Sequence, residues 1–128
     1  MLNSIMEAVT VTAIINPVSA ANTAAATSAG IATAGYEGDI LLIMQVGVIT
    51  GTVDFTFATA DNSGMTSPTA VTPVGGAIAQ ITTSNDVATY VAVIPSTQSK
   101  GWIQIIGTVG TGPALIGYSM VGMKKYGT

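Results

Sequence analysis

Between Ile40 and Val48 the chain is apolar at nearly every position, broken only by Gln45 and Gly47. Shortly afterwards Val53, Phe55 and Phe57 alternate with Asp54, Thr56 and Ala58. A continuous apolar run bounded by turn residues is what a strand covered on both faces needs, and alternation with period two marks a strand with one face covered. Ile49-Thr50-Gly51-Thr52 between them reads as a hairpin connection, which would set Ile40, Leu42 and Met44 beside the inward Val53, Phe55 and Phe57. Asp61-Asn62-Ser63-Gly64 follows as a turn, because Asp and Asn side chains bond nearby backbone and Gly permits positive φ.

The same signal recurs along the chain. Short runs rich in Val, Ile and Thr are separated by Gly, Pro, Asn, Asp and Ser, while helical periodicity is weak throughout. Residues 7–15 read as a strand that Asn16 and Pro17 terminate. The Ala/Thr-rich stretch 19–35 reads as an extended connection with a short strand near Ile31 to Thr33, an Ala-rich helix over 20–28 being the alternative. Pro68 and Pro73 mark a loop. Further strands are expected at Ile78 to Thr83, Ala88 to Ile94, Trp102 to Thr108 and Ala114 to Met123. Such a series predicts an all-β fold, a single antiparallel β-sandwich of about seven or eight strands in a jelly-roll-like arrangement. Residues 1–18 are expected to form an N-terminal arm or edge strand, and residues 19–128 the β-sandwich domain.

What covers such a domain is a question for composition. Charged residues make up 7% of the chain and hydrophobic ones 48%, whereas ordinary soluble domains carry about 25% charged residues. Thr, Ser, Asn, Gln and Gly must therefore form most of the exposed surface, which suits contact with other subunits and predicts a homo-oligomer. The longest pure apolar run, Ile40 to Met44, is far too short for a membrane-spanning helix, and the few aromatic residues cannot supply two girdles of a membrane barrel. The N-terminal segment ends in small residues like a signal peptide but holds Glu7 and no Lys or Arg, so it reads as mature sequence. A net charge of −3 with three Lys and no basic cluster predicts no nucleic-acid partner, and no membrane partner is expected.

Chemistry has little to work with. The chain has no His and no Cys, which removes thiolate metal sites, disulfides and the usual bases near neutrality. Ser99 and Lys100 are adjacent, yet neighbours in a strand point to opposite faces, and Lys100-Gly101 reads as a turn. Glu37 and Asp39 flank Gly38 just before a core strand, where charges discourage stray edge pairing. The Asp61 turn has oxygen ligands but no spaced acids or closing Glu of a calcium loop. Gly107 to Gly112 reads G-x-x-G-x-G and is followed by Pro113 rather than a helix, so it reads as a loop between two strands and not a phosphate cradle. No catalytic residue, cofactor site or metal site is predicted. The candidate functional residues instead form an apolar set for subunit contact: Val9, Val11 and Ile15 near the start, Trp102, and Tyr118, Met120, Met123 and Tyr126 near the end.

Two long segments carry a family resemblance. GYEGDILLIMQVGVITGTVDFTFATADNSG, and after a variable loop KGWIQIIGTVGTGPALIGYSMVGMKKYGT, resemble small tailed-phage virion proteins of the head decoration, or cement, group. The matching pattern comprises Gly35-Tyr36-Glu37-Gly38, Thr50-Gly51-Thr52, Ala60 to Gly64 and the closing stretch from Gly101 to Tyr126. The chain departs from the pattern in its Ala/Thr-rich lead and in having Lys124-Lys125 where an Arg is usual. The resemblance implies a β-sandwich subunit of the virion, a trimer on the outer capsid surface, whose partner is the major capsid protein.

Overall fold

Val53, Phe55 and Phe57 do point inward, with exposures of 0%, 3% and 4%. The computed structural model describes residues 9–124. Eight strands form: β1 (Val9–Ala20), β2 (Ile31–Ala32), β3 (Tyr36–Ile49), β4 (Val53–Ala60), β5 (Thr69–Val71), β6 (Ala88–Ile94), β7 (Trp102–Val109) and β8 (Ala114–Lys124). One four-stranded sheet has the order β1-β8-β3-β6 and the other β2-β7-β4-β5.

All pairings are antiparallel, and they nest. The first strand pairs with the last, β2 with β7, β3 with β6, and β4 with β5. This is one long hairpin with its tip at β4–β5, rolled up so that β3 meets β8 and β4 meets β7. Two sheets joined in this way are a jelly roll, as the strand pattern predicts.

Rolling the hairpin places β3 and β4 in different sheets, so residues 50–52 are not the hairpin that the sequence predicts. They cross from one sheet to the other. Three extended residues span about 10 Å, which is also the separation of packed sheets, so length alone does not distinguish the two connections. The neighbouring crossover, 110–113, lies against this one: Thr50 N–H donates to Pro113 O at 3.1 Å, and Gly110 N–H donates to Thr52 O at 2.8 Å. A Cβ on Gly51 would meet Thr111 O at 2.8 Å, so the close approach requires glycine there. Ile40, Leu42 and Met44 consequently reach Phe55 and Phe57 across the sandwich interior, not along a shared sheet.

Other expectations shift for identifiable reasons. β1 continues through Asn16 and Pro17, with register irregularities between Ala13 and Ile15 and between Ile15 and Val18. It is an edge strand, where a missing N–H costs no ladder bond and a bulge absorbs the proline. Within 19–35 a single helical turn, α1 (Thr23–Ala26), is capped by Asn22, whose Oδ1 accepts from Ala25 N at 3.0 Å. The strand expected at Ile78 to Thr83 reduces to one bridge, Ile81 with Val53, although Ile81 is fully buried. β5 occupies part of the stretch expected as a loop around Pro68 and Pro73. β3 is covered on one face only: Ile40, Leu42, Met44 and Val46 are buried, while Leu41 and Ile43 are half-buried and Gln45 is exposed.

The core is the inward set of both sheets, with Phe55 at its centre. Its ring stands edge-on to Tyr118 at 5.6 Å and is tilted against Tyr90 at 6.5 Å. Aromatic pairs of this kind add to the hydrophobic gain of burying the ring. Phe55→Ala should therefore destabilise the domain by about 3–5 kcal/mol, measured by urea unfolding. A loss below about 1 kcal/mol would place the ring outside the load of the core.

Candidate assembly surface

The polar groups singled out in the sequence are spent on local structure. Ser99 Oγ is 2.8 Å from Thr33 Oγ1, and Lys100 Nζ donates to Thr69 Oγ1 at 2.9 Å, so the two side chains serve different neighbours. Asp39 Oδ1 accepts from Ser96 N at 3.0 Å. In the Asp61 turn Asn62 Oδ1 accepts from Thr66 N, and Asn62 Nδ2 donates to Asp61 Oδ1, each at 3.0 Å. Among the described residues no group of three acidic side chains comes together in the manner of a metal site. The glycine-rich segment divides between the end of β7 and the crossover to β8.

The two outer faces of the sandwich differ sharply. On the second sheet the outward residues of β4 and β7 include Asp54, Thr56, Gln104 and Thr108. Its apolar outward residues are covered by the chain itself: Ala58 and Ala60 are buried together with loop residue Met65, and Trp102 and Ile106 pack against them. The edge of β7 is covered too, because β2 pairs with it over only two residues and Ser28 then takes the place of a neighbouring strand. Ser28 N–H donates to Ile105 O at 2.9 Å, and Ile105 N–H donates to Ser28 Oγ at 3.0 Å. Farther along, Val109 N–H donates to Thr23 Oγ1 at 3.1 Å.

The first sheet has no such cover among the described residues. One outward row crosses all four strands as Val11, Val121, Leu41 and Val93, and the next runs Ala13, Ser119, Ile43 and Val91. Val11 is 69% exposed and Val91 52%. Val18, Val48, Leu115 and Met123, also strongly exposed, belong to strands of this same sheet. The remaining large exposed hydrophobics, Val74 and Val87, donate their backbone N–H groups to Val93 and Gly47 of the sheet. Residues 11–20, 40–49, 88–94 and 114–123 contain no Asp, Glu, Lys or Arg; the charged residues of the sheet, Glu37 and Asp39 of β3 and Lys124 of β8, stand together at one end, Glu37 in register with Met123. A row of backbone groups along the outer edge of β1 is also without a strand partner among the described residues.

The predicted contact residues divide accordingly. Val11 and Met123 lie on the uncovered face. Val9 pairs with Met123 at the backbone, and Ile15 is partly buried against the core. Trp102 is half-buried on the other sheet, beneath the loop of Met65. Tyr118 and Met120 are corrections: each is 2% exposed and faces the interior, so neither contributes to a surface. Even positions of β8 point inward and odd ones outward, and a set chosen by nearness in sequence mixed the two. The same alternation would have pointed to Val121, Leu115 and Val91. Tyr126 and residues 1–8 lie outside the described residues, while residues 9–18 of the expected arm make up most of the edge strand β1.

Tyr118 has a structural task instead. Its hydroxyl donates to Ala26 O at 2.8 Å, tying β8 to the α1 segment, and a Cβ on Gly107 would come within 2.5 Å of the Tyr118 hydroxyl oxygen. Burial pushes the phenol above its ordinary value of 10.0. The neutral form is thus favoured in the folded state, so its contribution is complete below pH 10 and declines as pH rises through the folded value. Tyr118→Phe should cost about 1–3 kcal/mol at neutral pH, because Ala26 O loses its donor. The same variant should lose less stability than the parent between neutral and strongly alkaline pH in denaturant titrations.

No protein-family model matches the chain, and no curated protein matches it. Among solved structures, a subunit of Bacillus endospore appendages, described as a family of disulfide-linked pili, is 15% identical with a TM-score of 0.45, covering 91% of this chain and 88% of that one. A mutant of the family 29 carbohydrate-binding module CBM29-2 is 14% identical with a TM-score of 0.40, covering 90% and 92%. The ligand-free CBM1 of BiXyn10A is 12% identical with a TM-score of 0.37, covering 91% and 82%. Likeness at this level carries no argument about what the chain does.

Proposed function

We propose that this protein is a structural subunit of a larger protein assembly, and more narrowly a decoration protein on the outside of a tailed-phage head. The observation that carries the first part is the apolar outer face of the β1-β8-β3-β6 sheet, uncovered among the described residues and with its charged residues confined to one end. Apolar and hydroxyl-bearing side chains lose little when water leaves them, whereas buried unpaired charges are costly. A surface of this composition is therefore suited to extensive protein contact. The narrower part rests on the resemblance of residues 35–64 and 100–128 to the decoration group, and it names the major capsid protein as partner and the virion as location. The role requires no catalytic group and no cofactor; the protein would act by bridging neighbouring capsid subunits.

A carbohydrate-binding role receives no support from the aromatic residues. Sugar platforms use exposed rings, but among the described residues Phe55, Phe57 and Tyr118 are buried, Trp102 is packed under its own loop, and Tyr36 and Tyr90 are half-buried against the core.

The test is addition of purified protein to capsids assembled without it, followed by co-sedimentation and electron cryomicroscopy. Saturable binding is expected, with density on the outer surface and a raised temperature of capsid disruption. Because the chain carries only three Lys and six acidic residues, affinity should change by less than about tenfold between low and high salt. Failure to bind at saturating concentration would refute the capsid reading.

A further inference from the structure

We infer that the outer face of the β1-β8-β3-β6 sheet is a self-association face, on which a second copy of this chain packs about a two-fold axis. This rests on the reading of the protein as an assembly subunit and adds the surface, the partner and the symmetry. Three observations select a second copy.

The first is the contrast between the two sheets. Among the described residues, the chain covers the apolar outward residues of one sheet with its own loop around Met65 and completes that sheet's edge with Ser28, and leaves the apolar outward residues of the other sheet open. An apolar face left open in this way marks a contact site. The second is self-complementarity. Two identical faces can meet about a two-fold axis only if like charges do not oppose one another. No charged residue lies in the rows from Val11 to Val93 and Ala13 to Val91, and Glu37, in register with Met123, stands at one end, which an axis across the strands sets against the partner's opposite end. The same face carries projections, Val11 and Val91, and a hollow of about 430 Å³ beside Pro17 and Leu115, where Gly47 and Gly117 bring the surface down to the backbone. One surface thus supplies both halves of a fit.

The third is size. Four strands at roughly 4.8 Å spacing and the length from Leu115 to Met123, about 30 Å, give a face of about 600 Å². Two such faces would bury about 1,200 Å², the lower bound for a specific, stable interface. Sheets pack face to face in pairs, and two copies that bury the same face on each other meet about a two-fold axis. The contact is accordingly two-fold, in place of the trimer that the family resemblance implies.

The experiment measures the mass of the full chain over a range of concentrations by analytical ultracentrifugation. The parent should be a dimer. Val11→Lys combined with Val91→Lys should weaken it by on the order of 100-fold or more, since each copy would bury two unpaired charges. Both positions are exposed in the single copy, so circular dichroism and the unfolding midpoint at high dilution should be unchanged. Val11→Thr with Val91→Thr, which keeps shape and strand preference, should weaken the dimer to a smaller degree. Thr56→Lys, on the exposed outer face of the other sheet, should leave it intact. A parent that stays monomeric or forms trimers, or a dimer broken by Thr56→Lys and not by the paired lysines, overturns the inference. A monomer that still decorates capsids would sink this inference alone, whereas a dimer through this face that ignores capsids would sink only the capsid reading.

Discussion

β8 lies between β1 and β3, and the rest of the structure depends on that double pairing. It is the last strand in the described chain, yet it is central in its sheet, so β1 joins the β3–β6 pair only through residues 114–124. Its inward side supplies Ala114, Ile116, Tyr118 and Met120 to the core, and Tyr118 alone both packs on Phe55 and donates to Ala26 O. Its outward side supplies Leu115, Val121 and Met123 to the open face. One strand therefore joins the core, the cover of the second sheet and the candidate interface. Pairings so distant in sequence are costly in loop-closure entropy, which predisposes such folds to slow, cooperative formation.

The chain treats its two sheets differently with the same kind of residue. Small hydroxyl side chains at Ser28 and Thr23 complete the edge of β7, and Met65 closes over Ala58 and Ala60. Nothing equivalent lies over Leu41, Ile43 and Val91 among the described residues. In a chain with so few charges this asymmetry cannot be masked by long charged side chains lying over the apolar surface, as lysine and arginine do elsewhere. The first sheet remains apolar outside as well as inside, and an assembling subunit is the reading that uses both sides.

Much of the fold was legible in residues alone. Ala88 to Ile94 matches β6 at both ends, and Trp102 to Thr108 and Ala114 to Met123 each stop one residue short of the strand observed. The alternation of Val53, Phe55 and Phe57 identified their inward side correctly. Less was legible where local signals compete with distant ones. Asn16-Pro17 carries the chemistry of a strand end, but the sheet edge tolerates it; Ile81 sits in a strand-like run, yet only its bridge to Val53 forms. For the candidate surface, Val11 and Met123 do lie on the exposed face, while Tyr118 and Met120 face the interior side of their strand.

By itself the sequence determined the class of fold and the scarcity of chemistry: β-branched runs and turns demand strands, and a chain without His or Cys has few reactive groups. It also determined that the domain would carry more apolar area than charge could balance. Only the tertiary structure decided where that area lies. Inward and outward are defined by which strand neighbours which, and a connection as short as 50–52 serves a hairpin or a crossing between sheets equally well. That choice is made by the distant pairings of β8 with β1 and β3, and it leaves the first sheet with an open apolar face.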